Sequence, residues 1–182
     1  MTFVTAKWSL EEYHRMIDAG LLDQRRVELV NGEVIEMPPE GVEHTFYCCE
    51  TVRYLRSILR DLAEVREAHP VNLPHNSEPE PDVAIVKLPA SQYRTRHPQS
   101  ADIYWLIEIA SSTLAKDLGI KKELYATAGI SEYWVIDLPH KVLVVFLDLQ
   151  NGSYRTEISL TSGVISPIAF PSVRLDIQRL LI

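Results

Sequence analysis

Cysteine is scarce in this chain of 182 residues: there are two, Cys48 and Cys49, and they are neighbours. Adjacent cysteines on a helix cannot reach ordinary disulfide geometry. A disulfide-stapled secreted scaffold is therefore excluded. Long apolar runs are missing too, and none approaches the roughly 20 residues of a membrane span. Residues 1–10 carry Lys7 and Ser9 and no apolar stretch of signal-peptide length. A cytoplasmic location without membrane contact is the expectation. Basic charge is in deficit, with 18 Lys and Arg against 25 Asp and Glu, a formal net charge of −7. No basic tail is present. Coating nucleic acid by bulk electrostatics is excluded, because that mode neutralises many phosphates. A local basic groove remains open.

What is present is an ordinary globular composition, 46% hydrophobic and 24% charged. The length suits one domain at a typical ~100–200 residues. Ser9 and Glu12 stand at capping-box spacing before a short helix that ends at Gly20. Asn31-Gly32 sits between two strand-like runs, residues 26–30 and 33–37, the strongest short hairpin signal. Residues 42–60 read as a long helix with Cys48, Val52, Leu55, Leu59 and Leu62 along one face. His44 falls on that face in the first turn, and Arg53, Arg56 and Arg60 lie opposite.

Residues 70–81 read as strand edge and loop, and 82–87 as a short buried strand. Residues 91–100 form a polar loop. Residues 103–110 (IYWLIEIA) are nearly continuously apolar, as in a sheet covered on both faces. A helix is expected from the Ser111-Ser112-Thr113 cap to about Ala128, ended by Gly129. Further strands are expected at 133–137, 142–149 and 154–160, with a short C-terminal helix at 175–182. The pattern is α/β (α+β): one domain over residues 1–182, with helices packed on a central sheet.

Three positions invite chemistry. Glu108 is the only charge within residues 103–110, and a buried carboxylate costs several kcal/mol, as an order of magnitude, unless paired or bound to metal. A strand-end Glu facing solvent or an Arg is the plain alternative. In Glu78-Pro79-Glu80-Pro81-Asp82, Glu80 and Asp82 can share a strand face. An Asp opening one strand and a Glu near the end of the next form a hard-oxygen pair suited to Mg²⁺; a solvated acidic loop is the alternative. Lys121 occupies a core-facing step of the stripe Leu114, Leu118, Tyr125 and Ala128. It either pairs locally with Asp117, four residues earlier, or stands beside Asp82 and Glu108 and stabilises developing charge. Lys122 is rotated about 100° away.

Together these residues resemble the restriction-endonuclease-like superfamily with its PD-(D/E)XK signature, and more narrowly the bacterial Uma-two family. The matching strings are Val27-Glu28-Leu29-Val30-Asn31-Gly32-Glu33, Glu43-His44, Glu80-Pro81-Asp82-Val83 and Ile107-Glu108-Ile109. A longer one runs from Lys121 through Tyr125 and Ala128-Gly129-Ile130-Ser131-Glu132-Tyr133-Trp134 to Asp137. The resemblance covers residues 8–181.

It implies a central mixed sheet with flanking helices and a phosphodiesterase site dependent on Mg²⁺ or Mn²⁺. Asp82 matches the Asp of the PD element and Glu108 the acid of the (D/E)XK element. Ala110 stands where that element's lysine normally is, and the resemblance moves the lysine to Lys121. Ala110-Ser111-Ser112-Thr113 also replaces a Ser-Pro-Ser-Thr-like turn. The expected metal ligands are Asp82, Glu108 and the backbone carbonyl of Ile109. Glu28, His44 and Glu80 are expected as accessory groups. Arg94, Arg96, Lys116 and Lys122 are candidate phosphate contacts for nucleic acid, with DNA as the expected substrate. A homodimer is expected by analogy with nucleases that cut both strands.

Two other classes compete with a metal-dependent nuclease. A non-catalytic binding or assembly module is favoured by the charge of −7 and the missing in-motif lysine. A metal hydrolase of small phosphate esters is the third. A zinc enzyme is disfavoured, since the six histidines lack paired ligand spacing and no Cys-x-x-Cys occurs.

Overall fold

A computed structural model describes residues 5–182. The start of the stretch inspected for a leader, residues 1–4, lies outside the described residues. Helix α1 is Leu10–Asp18, and Ser9 caps it as expected: its side chain accepts from the Glu12 N–H, and the Glu12 carboxylate accepts from the Ser9 N–H. Strands β1 (Val27–Val30) and β2 (Glu33–Glu36) form the hairpin. Asn31 and Gly32 both take positive φ, 50° and 76°, as a two-residue turn of this hand requires. A Cβ on Gly32 would stand 3.0 Å from the Trp8 carbonyl oxygen, so the tight approach adds to the demand for glycine. The Gly32 amide donates to the Asn76 carbonyl at 2.9 Å, which pins the hairpin tip to the following loop.

Helix α2, Val42–Leu59, buries Cys48, Val52, Leu55 and Leu59 as the stripe predicts. Leu62 departs from that stripe. The helix ends at Arg60, with φ of 37°, and Leu62 is 47% exposed beyond it. The central sheet then runs in the order β3-β4-β5-β6-β7-β8. Its strands are Glu64–Glu67, Val83–Val86, Ile103–Ala110, Tyr133–Asp137, Val142–Gln150 and Ser153–Leu160. All neighbours are antiparallel except β5 and β6, which are parallel. A parallel pair needs a crossover connection, and residues 111–132 supply it. The sheet is thus mixed, and the architecture is α+β with a strand-rich C-terminal part.

Both faces are covered. Trp105, Ile107, Trp134 and Val145 pack on one side with α2 and the C-terminal segment. Leu106, Ala110, Tyr133 and Val135 pack on the other with the crossover. This double cover explains why β4 and β6 are buried along their whole length.

Three local readings are corrected. Strand β3, with the sequence Glu-Val-Arg-Glu, lies at the sheet edge and buries fully only Val65, so apolar periodicity gave no sign of it. The crossover is not one regular helix. It is α3 (Leu114–Lys116), a π turn (Asp117–Lys121) and α4 (Lys122–Thr127). The C-terminal helix is a single 3-10 turn, Ile177–Arg179, after the short strand β10, Leu175–Asp176, which pairs with β9, Val164–Ile165. No helix among the described residues is long and apolar enough to cross a membrane.

Candidate active site

Antiparallel register sets the site. Val83 of β4 stands opposite Ile107 of β5. One step outward, Asp82 and Glu108 come to the same end of the sheet. The Ile109 amide donates to Asp82 Oδ2 at 2.6 Å. Along a strand, a residue's N–H and C=O point to the same side, so the Ile109 carbonyl also faces β4. The second contact to Asp82 Oδ2 comes from His44 Nε2 at 3.1 Å. His44 therefore joins the site from the first turn of α2. That hydrogen bond raises its pKa, against the pull of partial burial. Its Nδ1 is buried without a partner among the described residues.

Lys121 is 2% exposed and ends the π turn. A π turn inserts an extra residue into the helical repeat, and such turns occur often at functional sites. Here Lys121 does not pair with Asp117, which instead accepts a 2.6 Å hydrogen bond from the Thr113 hydroxyl. The Lys121 ammonium donates to Glu28 Oε2 at 2.7 Å and lies 3.2 Å from Glu108 Oε1. Glu28, fully buried in β1, also accepts from Lys116 Nζ at 2.5 Å and from the Glu80 amide at 3.2 Å. The hairpin thus delivers one carboxylate that holds both lysines.

Burial is the largest influence on Glu108 and raises its pKa to about 8, aided by the nearby Asp82 and opposed by Lys121. The Tyr125 hydroxyl donates to Glu108 Oε1 at 2.5 Å. Burial works against the Lys121 ammonium, but Glu108 and Glu28 outweigh it and its pKa is raised. Burial likewise opposes the Glu28 carboxylate, and Lys121 and Lys116 reverse the balance and lower its pKa.

Asp82, Glu108 and Lys121 share a cavity of about 380 Å³ with Glu80, Lys116 and Asp117. Its lining also includes the apolar side chains of Met37, Pro38, Pro39 and Val42. The sequence reading missed Arg26, which lines the cavity and is paired with Glu40. It also missed the tie from Tyr125 to Glu108; the stripe containing both Lys121 and Tyr125 was the available signal. Arg94, Arg96 and Lys122 do not line this cavity. Arg96 is paired with Asp102, and Lys122 sits 3.2 Å from Glu157 and over the Phe146 ring. Lys116 lines the cavity, but Glu28 holds its ammonium.

A divalent cation can be tested against this donor set. Among the described residues no three His, Cys, Asp or Glu side chains group closely enough to cage a metal. Asp82 Oδ1 and Glu108 Oε2, however, accept no hydrogen bond from any described residue, and both residues line the cavity. Two open carboxylate oxygens and a strand carbonyl suit a hard cation that keeps several waters. The residues fit a hard divalent cation.

Comparison with known proteins bears on the fold and the family. A crystal structure titled as "a putative nuclease belonging to DUF820 from Anabaena variabilis ATCC 29413" superposes with a TM-score of 0.72. It is 15% identical, and the match covers 95% of this chain and 97% of that one. At that identity the likeness is one of fold. No curated protein matches the chain. The profile of the Uma2 family, described as "Putative restriction endonuclease", matches residues 10–178. The chain, with a mixed sheet that brings Asp82, Glu108 and Lys121 to one cavity, belongs to the Uma2 family of restriction-endonuclease-like proteins.

Proposed function

We propose that the protein is a metal-dependent nuclease that hydrolyses phosphodiester bonds, with DNA as the substrate. The observation that carries this reading is the meeting of Asp82, Glu108 and Lys121 at one cavity from three separate elements. Asp82, Glu108 and the Ile109 carbonyl would hold one Mg²⁺ or Mn²⁺. Such a cation, when bound, polarises a phosphoryl oxygen and lowers the pKa of a bound water. The chain's own residues do the rest. His44 holds Asp82 in place from α2. Tyr125 and Lys121 fix Glu108 Oε1, which leaves Oε2 for the cation. The Lys121 ammonium supplies fixed positive charge where negative charge grows in the transition state. Glu28 keeps that ammonium charged and correctly aimed.

Cutting both strands of a duplex calls for two such sites, so a two-fold dimer is the assembly expected of the active form. A non-cleaving module that binds nucleic acid or a protein keeps one observation in its favour. Lys116, Lys121 and Arg26, the cavity's Lys and Arg side chains, are each already engaged by a carboxylate.

The test is a Mn²⁺ titration by calorimetry, with cleavage of labelled single- and double-stranded DNA and RNA. Wild type and Asp82→Ala are compared after a folding check. Binding and cleavage are both expected to vanish in Asp82→Ala. A folded Asp82→Ala protein that still cleaves would falsify the assignment. Wild type that binds Mn²⁺ but cuts nothing would move the reading to the non-cleaving module.

A further inference from the structure

A second cavity, of about 320 Å³, lies against α1 and is lined by Tyr13, His14, Ile17, Glu78, Glu80 and His97 among others. Glu78 is 4% exposed. Its Oε1 meets His14 Nε2 at 2.9 Å, while its Oε2 is buried and has no partner among the described residues. The main chain beneath it is pinned: the Glu78 amide donates to the Leu29 carbonyl at 2.7 Å, and its own carbonyl accepts from the Leu29 amide. A buried carboxylate oxygen without a donor costs free energy and calls for a partner.

The other walls point to the partner's charge. Asp18 and Glu80 are also at this cavity, and no lysine or arginine lines it among the described residues. Burial lowers the His97 pKa, which leaves its ring a neutral nitrogen able to accept. The Tyr13 hydroxyl is already spent on the Val27 carbonyl. The acceptors are spread around the wall, and no three of them close on a point that would cage a metal. A ligand with several N–H donors spaced apart fits that spread better than a bare ion. Ile17 and Pro70 offer an apolar surface for a short carbon stem, and the volume is that of a small-molecule site.

We propose that this cavity binds a small organic cation carrying an ammonium or guanidinium group, with Glu78 as its anionic anchor. Both groups are donor-only and pair strongly with carboxylates. His14, whose side chain is 45% exposed, is the outer lip that moves aside to admit the ligand. The site stands apart from the nuclease reading, and loss of that reading leaves it untouched.

Agmatine, with a guanidinium at one end and an ammonium at the other, is the probe, and N-butylurea is its neutral control. Calorimetry on the full chain should find agmatine bound by wild type and at least tenfold weaker in Glu78→Gln. Affinity should be undiminished in Asp82→Asn, which alters the other cavity. N-butylurea should not bind. No binding to wild type at millimolar agmatine overturns the proposal, as does equal affinity in Glu78→Gln or equal binding of N-butylurea. Displacement of agmatine by one equivalent of Zn²⁺ assigns the site to a metal and also overturns it. If Glu78→Gln fails to fold, the ring signals of His14 and His97 in wild type decide. A shift of either on adding agmatine supports the site, and a shift of neither overturns it.

Discussion

Two cavities flank the strand entry at Glu80, which lines both, and they treat buried carboxylates in opposite ways. In the wall of the larger, Glu108, and behind it Glu28, are sunk almost completely and a lysine lies within 3.2 Å of each. In the smaller, Glu78 is sunk nearly as deep and meets only the half-exposed ring of His14. The chain therefore neutralises its first acidic cluster internally and leaves the second to something else. An internal cation makes the carboxylate part of the fold's stability. A missing one makes the carboxylate a request for a ligand.

Lys121→Met gives the largest effect by which that contrast can be tested. Removing one partner of a buried ion pair leaves uncompensated charge, at a cost of about 3–5 kcal/mol. Here Glu108 loses its one ammonium and Glu28 keeps Lys116, so a loss within that range is expected in urea unfolding. Glu78→Gln breaks only a pair with a half-exposed histidine, and such pairs contribute roughly 0–1 kcal/mol. Equal losses in the two variants would erase the difference between the cavities.

Glu28→Gln should come next. Lys116 and Lys121 both lean on Glu28, but Lys121 keeps Glu108 at 3.2 Å. A cost of about 3 kcal/mol, the low end for a broken buried pair, is expected from the same unfolding curves. A loss below about 1 kcal/mol, the level of a surface pair, would mean that the hairpin is not what holds the lysines.

Much of this is legible in the sequence. Lys121 stood out because the stripe Leu114, Leu118, Tyr125 and Ala128 skipped it, and Glu108 because it broke an apolar run. The hairpin followed from Asn31-Gly32, and the double cover of the sheet from residues 103–110. What stayed hidden depends on contacts between distant parts of the chain. The partner of Lys121 is Glu28, 93 residues away, so the local Asp117 looked as good. The π turn that settles the matter leaves no mark in apolar periodicity. Strand β3 hid because an edge strand needs little apolar surface, and Val65 is all it buries fully. The second cavity joins His14 to Glu78 across 64 residues; His14 stands in no motif, and Glu78 only opens the acidic run in which Glu80 and Asp82 drew the attention.

Proton linkage sharpens the contrast further. Glu108 has its pKa raised from the ordinary carboxylate value of 4.5 to about 8 by burial. For a raised carboxyl, folding favours the neutral form, so its stabilising contribution is full below about pH 4.5. That contribution is lost as pH rises towards and through about 8. Glu108→Gln, which has no proton to lose, should therefore gain stability relative to wild type between pH 5 and 9. Melting curves across that range measure it. A constant gap between the two proteins would mean that Lys121 keeps Glu108 ionised throughout. Cation binding has the opposite slope, because Glu108 must shed its proton to ligate. Mn²⁺ affinity should rise across the same window.

The two histidines carry small effects. The hydrogen bond of His44 to Asp82 raises the His44 pKa above 6.5, so folding favours the imidazolium. The stability this contributes is fully present below pH 6.5 and fades as pH rises through the raised value. Wild type should exceed His44→Ala by about 1 kcal/mol at pH 6, the scale of a charge-assisted bond that is partly solvated. The margin should narrow by pH 8. In the other cavity, His14→Ala should cost no more than about 1 kcal/mol, because the His14 side chain is 45% exposed. Adding agmatine separates the two histidines. The ligand should change the melting temperature of His44→Ala as much as that of wild type, since His44 does not line the second cavity. A response lost in His44→Ala would mean that the two cavities act as one site joined through Glu80.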